Sequence, residues 1–153
     1  MKRDRINEFV EVARTIAKEQ SDDLHTQTGC VIVNATGGRM LAKGSNTLPI
    51  GVNLTAERLE RPLKYKWLEH AERNAIYAAA KDGTKLDGSV MVMEWFPCSD
   101  CARAIVQSGI AVLYCNRPNF ELPTWGPDFV FASQILSESE VEVIYLEDIN
   151  RNS

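Results

Sequence analysis

Two short segments constrain this chain more than any of its other features: His70–Glu72 and Pro97–Cys101. The imidazole of His70 and the thiolates of Cys98 and Cys101 are good zinc ligands, and three protein ligands leave the fourth tetrahedral position open to water. That arrangement is typical of a catalytic zinc rather than of a closed structural one. We therefore expect a fold that brings these two separated segments to one point.

A carboxylate next to the predicted zinc ligands suggests how protons would be handled. Glu72 lies two residues after His70 and is the natural group to carry protons to and from a water molecule at the open position. Asp100 is the competing carboxylate, but it falls in the first turn of a predicted helix, where the helix dipole favours an acidic residue. We therefore predict Glu72 as the catalytic residue.

A Cys-x-x-Cys pair has other interpretations, since it could be half of a structural zinc site, a redox pair or a chance occurrence. In this chain the pair opens a predicted helix directly after a predicted strand, and the His-x-Glu motif lies on the preceding predicted helix. The other histidine, His25, precedes the first predicted strand, and no further Cys or His occupies a motif-like place. The pattern therefore favours a catalytic zinc over a structural one.

Length and composition limit the class of protein. The chain has 153 residues, of which 44% are hydrophobic and 25% charged, which favours one globular domain over residues 1–153. No apolar run approaches the roughly 20 residues of a membrane helix. The charged N-terminus has no signal-peptide core, so we expect a cytoplasmic protein without a membrane partner. A net charge of −4 argues against broad electrostatic contact with nucleic acid.

The four cysteines are not predicted to form disulfides. Cys98 and Cys101 have metal-ligand spacing, and thiols in the cytoplasm stay reduced. Cys30 and Cys115 lie in apolar, strand-like runs, where a free cysteine behaves as a small hydrophobic residue.

Hydrophobic periodicity predicts an α/β domain with a mixed five-stranded sheet covered by helices. The predicted helices are 4–20, Leu63 to Gly83, Pro97 to Gly109, and 128–137. The predicted strands are Gly29–Asn34, Met40–Gly44, Ser89–Trp95, Ile110–Cys115 and Val141–Leu146. A Gly37-Gly38 turn makes the first two strands antiparallel, and the crossover rule makes the last two strands parallel. Residues 46–61 are predicted to be mostly loop.

Three features each leave two interpretations open. The apolar stripe of the first helix could face its own core or a neighbouring subunit. Asn46, at the end of the second strand, could cap a turn or present its amide to a sugar hydroxyl. Arg117, in a loop, could meet a phosphate, although a single loop arginine is more often solvated.

Taken together, these segments resemble the cytidine/deoxycytidylate deaminase superfamily, and within it the dCMP deaminases. The likeness runs from about Ser21 to about Leu146. It is carried by Gln27–Asn34, Gly44–Gly51, Lys64-Tyr65 leading into His70–Ile76, and Phe96–Ile110. The His-x-Glu and Pro-Cys-x-x-Cys motifs belong to zinc-dependent nucleobase deaminases as a class. The Asn-x-x-Pro loop and the Lys-Tyr pair resemble the dCMP deaminases more narrowly.

The resemblance implies a three-layer α/β/α fold and one zinc-dependent deaminase domain with Zn²⁺ on His70, Cys98 and Cys101. It implies that Glu72 is the proton shuttle in the hydrolytic deamination of a cytosine nucleotide, most closely dCMP to dUMP and ammonia. The substrate contacts that it implies are Asn46, Ala71 and Pro97. It also implies a homo-oligomer, either a hexamer or a dimer, with dCTP and dTTP as possible effectors.

Departures from the family pattern keep other functions in view. Ser45 and Thr47 replace the Tyr and the second Gly of the family loop, and the segment after the fourth strand, 116–127, differs from the usual one. One alternative substrate is another free nucleobase, nucleoside or analogue. Adenosine in tRNA is disfavoured because the chain is acidic and has no basic tail. A non-catalytic zinc-binding regulatory module is the alternative from another class, and the presence of Glu72 counts against it.

Overall fold

The computed structural model describes residues 1–151, so Asn152 and Ser153, the end of the predicted domain, lie outside the described part. The helices are α1 (Arg3–Gln20), α2 (Lys64–Trp67), α3 (Ala71–Asp82), α4 (Ser99–Gln107), α5 (Gly126–Glu138) and α6 (Leu146–Arg151). The strands are β1 (Gly29–Val33), β2 (Met40–Ser45), β3 (Val90–Met93), β4 (Val112–Cys115) and β5 (Glu142–Tyr145). Within residues 1–151, no helix is both long and apolar enough to span a bilayer.

The strands form one mixed sheet in the order β2-β1-β3-β4-β5. Strand β1 is antiparallel to both β2 and β3, whereas β3, β4 and β5 are parallel to one another. The predicted five-stranded sheet, its antiparallel opening pair and its parallel last pair are therefore confirmed. The parallel strands are joined by α4 and α5, as parallel neighbours require a crossover connection.

Two apolar cores, one on each face of the sheet, make the fold three-layered. Alternate residues of the central strands point to opposite faces, because the side-chain period of a strand is two. One core contains Cys30, Ile32, Met91, Met93, Leu113 and the buried faces of α3, α4 and α5. The other contains Val31, Val33, Val90, Val92, Tyr114 and the α1 stripe of Ile6, Phe9, Val10 and Ile16. The stripe of the first helix thus packs on its own sheet, and the predicted α/β/α layering is confirmed.

One predicted element is wrong in a way that matters for the site. The helix predicted from Leu63 is interrupted, because α2 ends at Trp67 and α3 begins only at Ala71. In the gap, Glu69 pairs with Thr47 through two backbone hydrogen bonds of 2.8 and 3.1 Å. His70 follows this bridge with extended backbone, so it precedes α3 instead of lying in its early turns.

Smaller differences concern the ends of elements and two short helices. A 3₁₀ turn, Glu57–Leu59, lies within the stretch predicted to be mostly loop. The chain continues from β5 into α6 at Leu146, where a strand was predicted to end. Glu147 and Asp148 occupy the first turn of α6, and acidic residues there are favoured by the helix dipole.

A glycine in β2 allows α3 to approach the sheet very closely. A Cβ atom on Gly44 would lie 2.2 Å from the carbonyl oxygen of Ala71 and 2.5 Å from the backbone nitrogen of Ala75. Both neighbours are backbone atoms of α3, which cannot move without displacing the helix. The start of α3, and with it the position of His70, therefore depends on a residue without a side chain at 44.

We expect Gly44→Ala to lower the free energy of unfolding by about 3 kcal/mol or more, because overpacking against backbone forces the helix away from the sheet. The midpoint of urea unfolding measures this. Gly38→Ala is the matched control, since a Cβ there would meet only the Thr36 hydroxyl at an ordinary 3.5 Å. Equal stability of the two variants would contradict the close approach.

Candidate active site

The structure brings the three predicted zinc ligands together. The ring Nδ1 of His70 lies 3.4 Å from the Sγ of Cys98 and 3.5 Å from the Sγ of Cys101. All three donor atoms lie within 4.8 Å of one another. Both thiols are buried, so the donor atoms converge on one interior point.

Two helix N-termini create this convergence. His70 is the residue immediately before α3, and Cys98 is the residue immediately before α4, which also carries Cys101 in its first turn. The positive ends of the two helix dipoles therefore lie at the donor cluster. A positive potential favours the thiolate form of cysteine, which is the form that binds metal.

The three donor groups shift one another's pKa values, as expected of side chains packed closely enough to bind one metal ion. The hydrogen bond from Cys101 lowers the pKa of Cys98 to about 4, and contact with His70 adds to the effect. The same hydrogen bond and burial raise the pKa of the Cys101 thiol. Burial alone would lower the pKa of His70, but its contact with Cys98 and the charge of Glu72 raise it. The two thiols thus hold a shared proton that a bound metal ion would displace.

The donor set fits zinc. Two thiolates and one imidazole suit Zn²⁺, and three protein ligands correspond to the open coordination of a catalytic site. Among residues 1–151, no further His, Cys, Asp or Glu joins this cluster as a fourth ligand. The observed donors therefore agree with the catalytic interpretation of the motif.

Glu72 stands beside the cluster on the first turn of α3. Its side chain is buried, and it lines the same cavity as His70 and Cys98. Burial raises the pKa of Glu72, the charge of His70 lowers it, and the charge of Cys98 raises it again, with a net rise. A carboxyl group with a raised pKa can both accept and donate a proton near neutral pH.

A cavity of about 450 Å³ opens next to these residues, a volume in the range of small-molecule sites. Its walls are largely aromatic, and they include Tyr65, Trp95, Phe96, Trp125 and Phe129. The polar groups of the wall include Asp23, Thr26, Thr28, Asn46, Arg61 and Lys64. The cavity lies beyond the carboxyl ends of β3 and β4, where ligands bind in open α/β sheets.

Trp125 is a site residue that the sequence patterns did not single out. Its ring packs edge-on against His70 and against Tyr65, with centroid distances of 5.7 Å in both cases. It is carried by the irregular segment that follows β4, directly before α5. The only signal in the sequence was an aromatic residue in a long irregular connection, which does not by itself indicate a site.

Asn46 has a structural role in the chain and also lines the cavity, while its contact with a sugar hydroxyl stays a prediction. Its Oδ1 accepts hydrogen bonds from the Ser21 hydroxyl at 2.6 Å and from the backbone N–H of Thr28 at 2.9 Å. Its Nδ2 donates to the carbonyl oxygen of Thr26 at 2.7 Å. The amide therefore holds the connection between α1 and β1 in place, and it also lines the cavity.

The other candidates lie away from the cavity surface. Ala71 and Pro97 are fully buried and are not among the described residues that line it. Their substrate contacts stay a prediction. Asp100 is mostly exposed and is paired with Arg103 and Arg73, so it does not face the site. The guanidinium of Arg117 binds Asp148 at 2.5 Å, outside the cavity lining.

A buried ion pair between Lys64 and Asp23 forms part of the cavity wall. The ammonium of Lys64 donates to Oδ2 of Asp23 at 2.7 Å, and both side chains are almost completely buried. Oδ1 of Asp23 accepts hydrogen bonds from the backbone N–H groups of His25 and Thr26. Burial would raise the pKa of Asp23, but these donors lower it below its usual value. The Asp23 carboxyl is therefore ionised at neutral pH.

Asp128 of α5 caps the helix that carries the two cysteines. Its carboxylate accepts hydrogen bonds from the backbone N–H of Ser99 at 2.7 Å and from the Ser99 hydroxyl at 2.6 Å. Cys98 makes no side-chain cap of its own, so a neighbouring helix supplies the capping acceptor. Asp128 thereby holds the turn from Cys98 to Cys101 against α5.

Comparisons with known proteins agree with this site. A family model described as the cytidine and deoxycytidylate deaminase zinc-binding region matches residues 3–116. An uncharacterized deaminase in the luxG 3′ region of Aliivibrio fischeri is 37% identical over 82% of this chain and 83% of its own length. Human deoxycytidylate deaminase is 34% identical over 67% of this chain, which spans only 60% of the human protein.

Solved structures give the same result for the fold. The dCMP deaminase of cyanophage S-TIM5, in its apo form, is 27% identical, with a TM-score of 0.71 over 95% of this chain and 99% of that one. The same phage protein in complex with dCMP and dUMP is 24% identical with a TM-score of 0.74, over 95% and 98% of the two chains.

These matches and the His-Cys-Cys cluster define the class of protein, a zinc-dependent deaminase of the hydrolase type. More narrowly, the chain belongs to the cytidine and deoxycytidylate deaminase family.

We expect Asp128→Ala to weaken zinc binding by about 10- to 100-fold, because loss of a residue that orients metal ligands has effects of this size. Competition with a chromophoric zinc chelator measures the affinity. Glu138→Ala is the matched control, since Glu138 lies at the far end of the same helix and is exposed. Zinc affinity equal to that of the unaltered protein in Asp128→Ala would contradict the capping role.

Proposed function

We propose that this chain catalyses the hydrolytic deamination of a cytosine nucleotide, with dCMP as the substrate and dUMP and ammonia as the products. The observation that carries the proposal is the presence of the His70, Cys98 and Cys101 donor set and the buried carboxylate of Glu72 at one cavity. A structural zinc site needs neither an open coordination position nor a neighbouring carboxylate.

The names of similar proteins support this substrate. Deoxycytidylate deaminases from human and from phage T4 are similar to this chain, which spans 60% of the former and 40% of the latter. The S-TIM5 deaminase, whose fold this chain shares, has been crystallised with dCMP and dUMP. Because these matches cover only part of the relatives or share the fold alone, the substrate is our proposal.

The chemistry replaces the exocyclic amino group of the cytosine ring with the oxygen of one water molecule. Zinc held by His70, Cys98 and Cys101 would supply Lewis acidity, which lowers the pKa of water and makes it nucleophilic near neutral pH. Glu72 accepts a proton from this water through a carboxylate oxygen and delivers it to the ring nitrogen. It then accepts the second proton of the same oxygen, which is now bonded to the ring carbon, and delivers it to the amine, which leaves as ammonia.

The cavity walls would orient the substrate for this attack. The flat ring is expected to lie among the aromatic side chains, with Trp125 holding His70 from the side. Asn46 has one Nδ2 hydrogen left beyond its bond to Thr26, and we propose that it donates this hydrogen to the deoxyribose. The resemblance adds Ala71 and Pro97 as contacts of the base.

Assembly and regulation belong to the same proposal and come from the resemblance. We propose a homo-oligomer, a hexamer or a dimer, and dCTP and dTTP as candidate effectors. Val130 and Phe131 on α5 are 52% and 64% exposed, as expected of side chains that a second subunit covers. The cytoplasmic location stays a prediction.

Deamination of an unphosphorylated base or nucleoside is the second candidate. It is favoured by the segment after β4, because the residues that it places in the cavity lining, Leu122, Pro123, Thr124 and Trp125, carry no charge. This side of the cavity therefore suits an uncharged part of a ligand.

We expect Glu72→Gln to lower the rate of ammonia release from dCMP by at least about 10³-fold, because the amide cannot shuttle protons. Zinc content, measured by atomic absorption, is expected to stay unchanged since the three ligands remain. Glu57→Gln, on the exposed 3₁₀ turn, is the matched control. Unchanged turnover in a zinc-loaded Glu72→Gln variant would contradict the proposed mechanism.

A further inference from the structure

We propose that Arg61 and Lys64 form a phosphate-binding end of the cavity, and that Arg61 selects a nucleoside 5′-monophosphate over the free nucleoside. This inference rests on the proposed function, because it assigns the residues that bind the phosphate group of the proposed substrate. Both residues line the cavity that contains Glu72.

Lys64 is a buried ammonium whose donors are only partly used. Among residues 1–151, Asp23 is its one hydrogen-bond acceptor, and its remaining contact is the Tyr65 ring at 5.7 Å. An ammonium carries three N–H donors, so two donors remain on a side chain that is only 7% exposed. Buried donors are normally satisfied. Because this side chain lines a cavity, an oxygen acceptor of a ligand is their natural partner.

Arg61 is a second cation on the same wall, and its side chain has no partner among residues 1–151. Within the described part of the chain, no carboxylate, carbonyl oxygen or aromatic ring engages its exposed guanidinium. Nearby arginines differ in this respect. Arg58 stacks on Trp67 and donates to the carbonyl oxygen of Asn53, and Arg73 is bound to Glu69.

One short turn of the chain carries both cations. The backbone N–H of Lys64 donates to the carbonyl oxygen of Glu60 at 2.8 Å, which closes a turn over residues 60–64. The side chains of Arg61 and Lys64 both line the cavity from this turn. They can therefore approach one ligand group from the same part of the cavity wall.

The charge balance of this wall favours an anion. The carboxylate of Asp23 accepts hydrogen bonds from Lys64 and from two backbone N–H groups, so its negative charge is already compensated. The guanidinium of Arg61 remains uncompensated. A guanidinium, which offers paired N–H donors, and a compact ammonium charge beside it are together well suited to bind the oxygens of a phosphate group. Arg117 cannot take this role, since Asp148 already binds it.

The test compares dCMP with deoxycytidine as substrates of zinc-loaded Arg61→Gln. We expect kcat/KM for dCMP to fall about 10- to 100-fold, which is the range for a lost charge-assisted hydrogen bond, while kcat/KM for deoxycytidine stays within about twofold. Arg61→Lys is expected to recover part of the loss because it keeps the charge. Arg58→Gln is the matched control, since Arg58 lies outside the cavity lining. Lys64 is left unaltered, because its removal would leave Asp23 buried and unpaired.

A binding measurement separates this inference from the proposed function. Calorimetric titration with dUMP and with deoxyuridine is expected to show tighter binding of dUMP to the unaltered protein, and a loss of that preference in Arg61→Gln. An equal fall for both compounds, or no fall for dUMP, overturns the phosphate site. If the unaltered protein releases no ammonia from dCMP but keeps the dUMP preference that Arg61→Gln loses, the proposed function fails and the phosphate site stands.

Discussion

Two thiols and a carboxyl group are buried beside a half-buried imidazole at the N-termini of α3 and α4, and keeping this polar set inside the protein is the constraint on which the site depends. Buried polar and charged groups are costly unless each is compensated. Here the helix N-termini before Ala71 and Ser99 supply positive potential, and the close contacts of Cys98 with His70 and Cys101 share the remaining proton. A bound metal ion completes this compensation, which is why the donor set and the folding of the two helices belong together.

The surroundings of the cluster hold it through contacts between segments that are distant in the chain. Gly44 lets α3 lie against β2, and the backbone bridge between Thr47 and Glu69 stops α2 just before His70. Asp128 ties the cysteine turn to α5. On the far wall, Asn46 and the Asp23–Lys64 pair organise the segment that leads into β1. The cavity is thus bounded by backbone and capping contacts on the metal side and by a buried ion pair and an amide on the opposite side.

The elements that the sequence predicted well are those governed by local patterns. Short apolar runs between turn residues identified the strands, and the His-x-Glu and Pro-Cys-x-x-Cys spacing identified the donors that the structure brings together. The break before His70 could not be predicted, because it depends on pairing with Thr47, far away in the sequence. The partners of Arg117 and the packing of Trp125 on His70 likewise depend on tertiary contacts. Ala71 and Pro97 came from resemblance alone, and their contacts with a substrate stay predictions.

If this donor set and Glu72 act together on a cytosine nucleotide, the zinc-loaded protein releases ammonia from such compounds. Ammonia release is therefore measured from dCMP, CMP, deoxycytidine, cytidine, cytosine, and adenine and guanine derivatives. We expect ammonia from dCMP, with a higher kcat/KM than for deoxycytidine. A zinc-loaded protein that releases no ammonia from any cytosine compound would contradict the joint role of the donor set and Glu72.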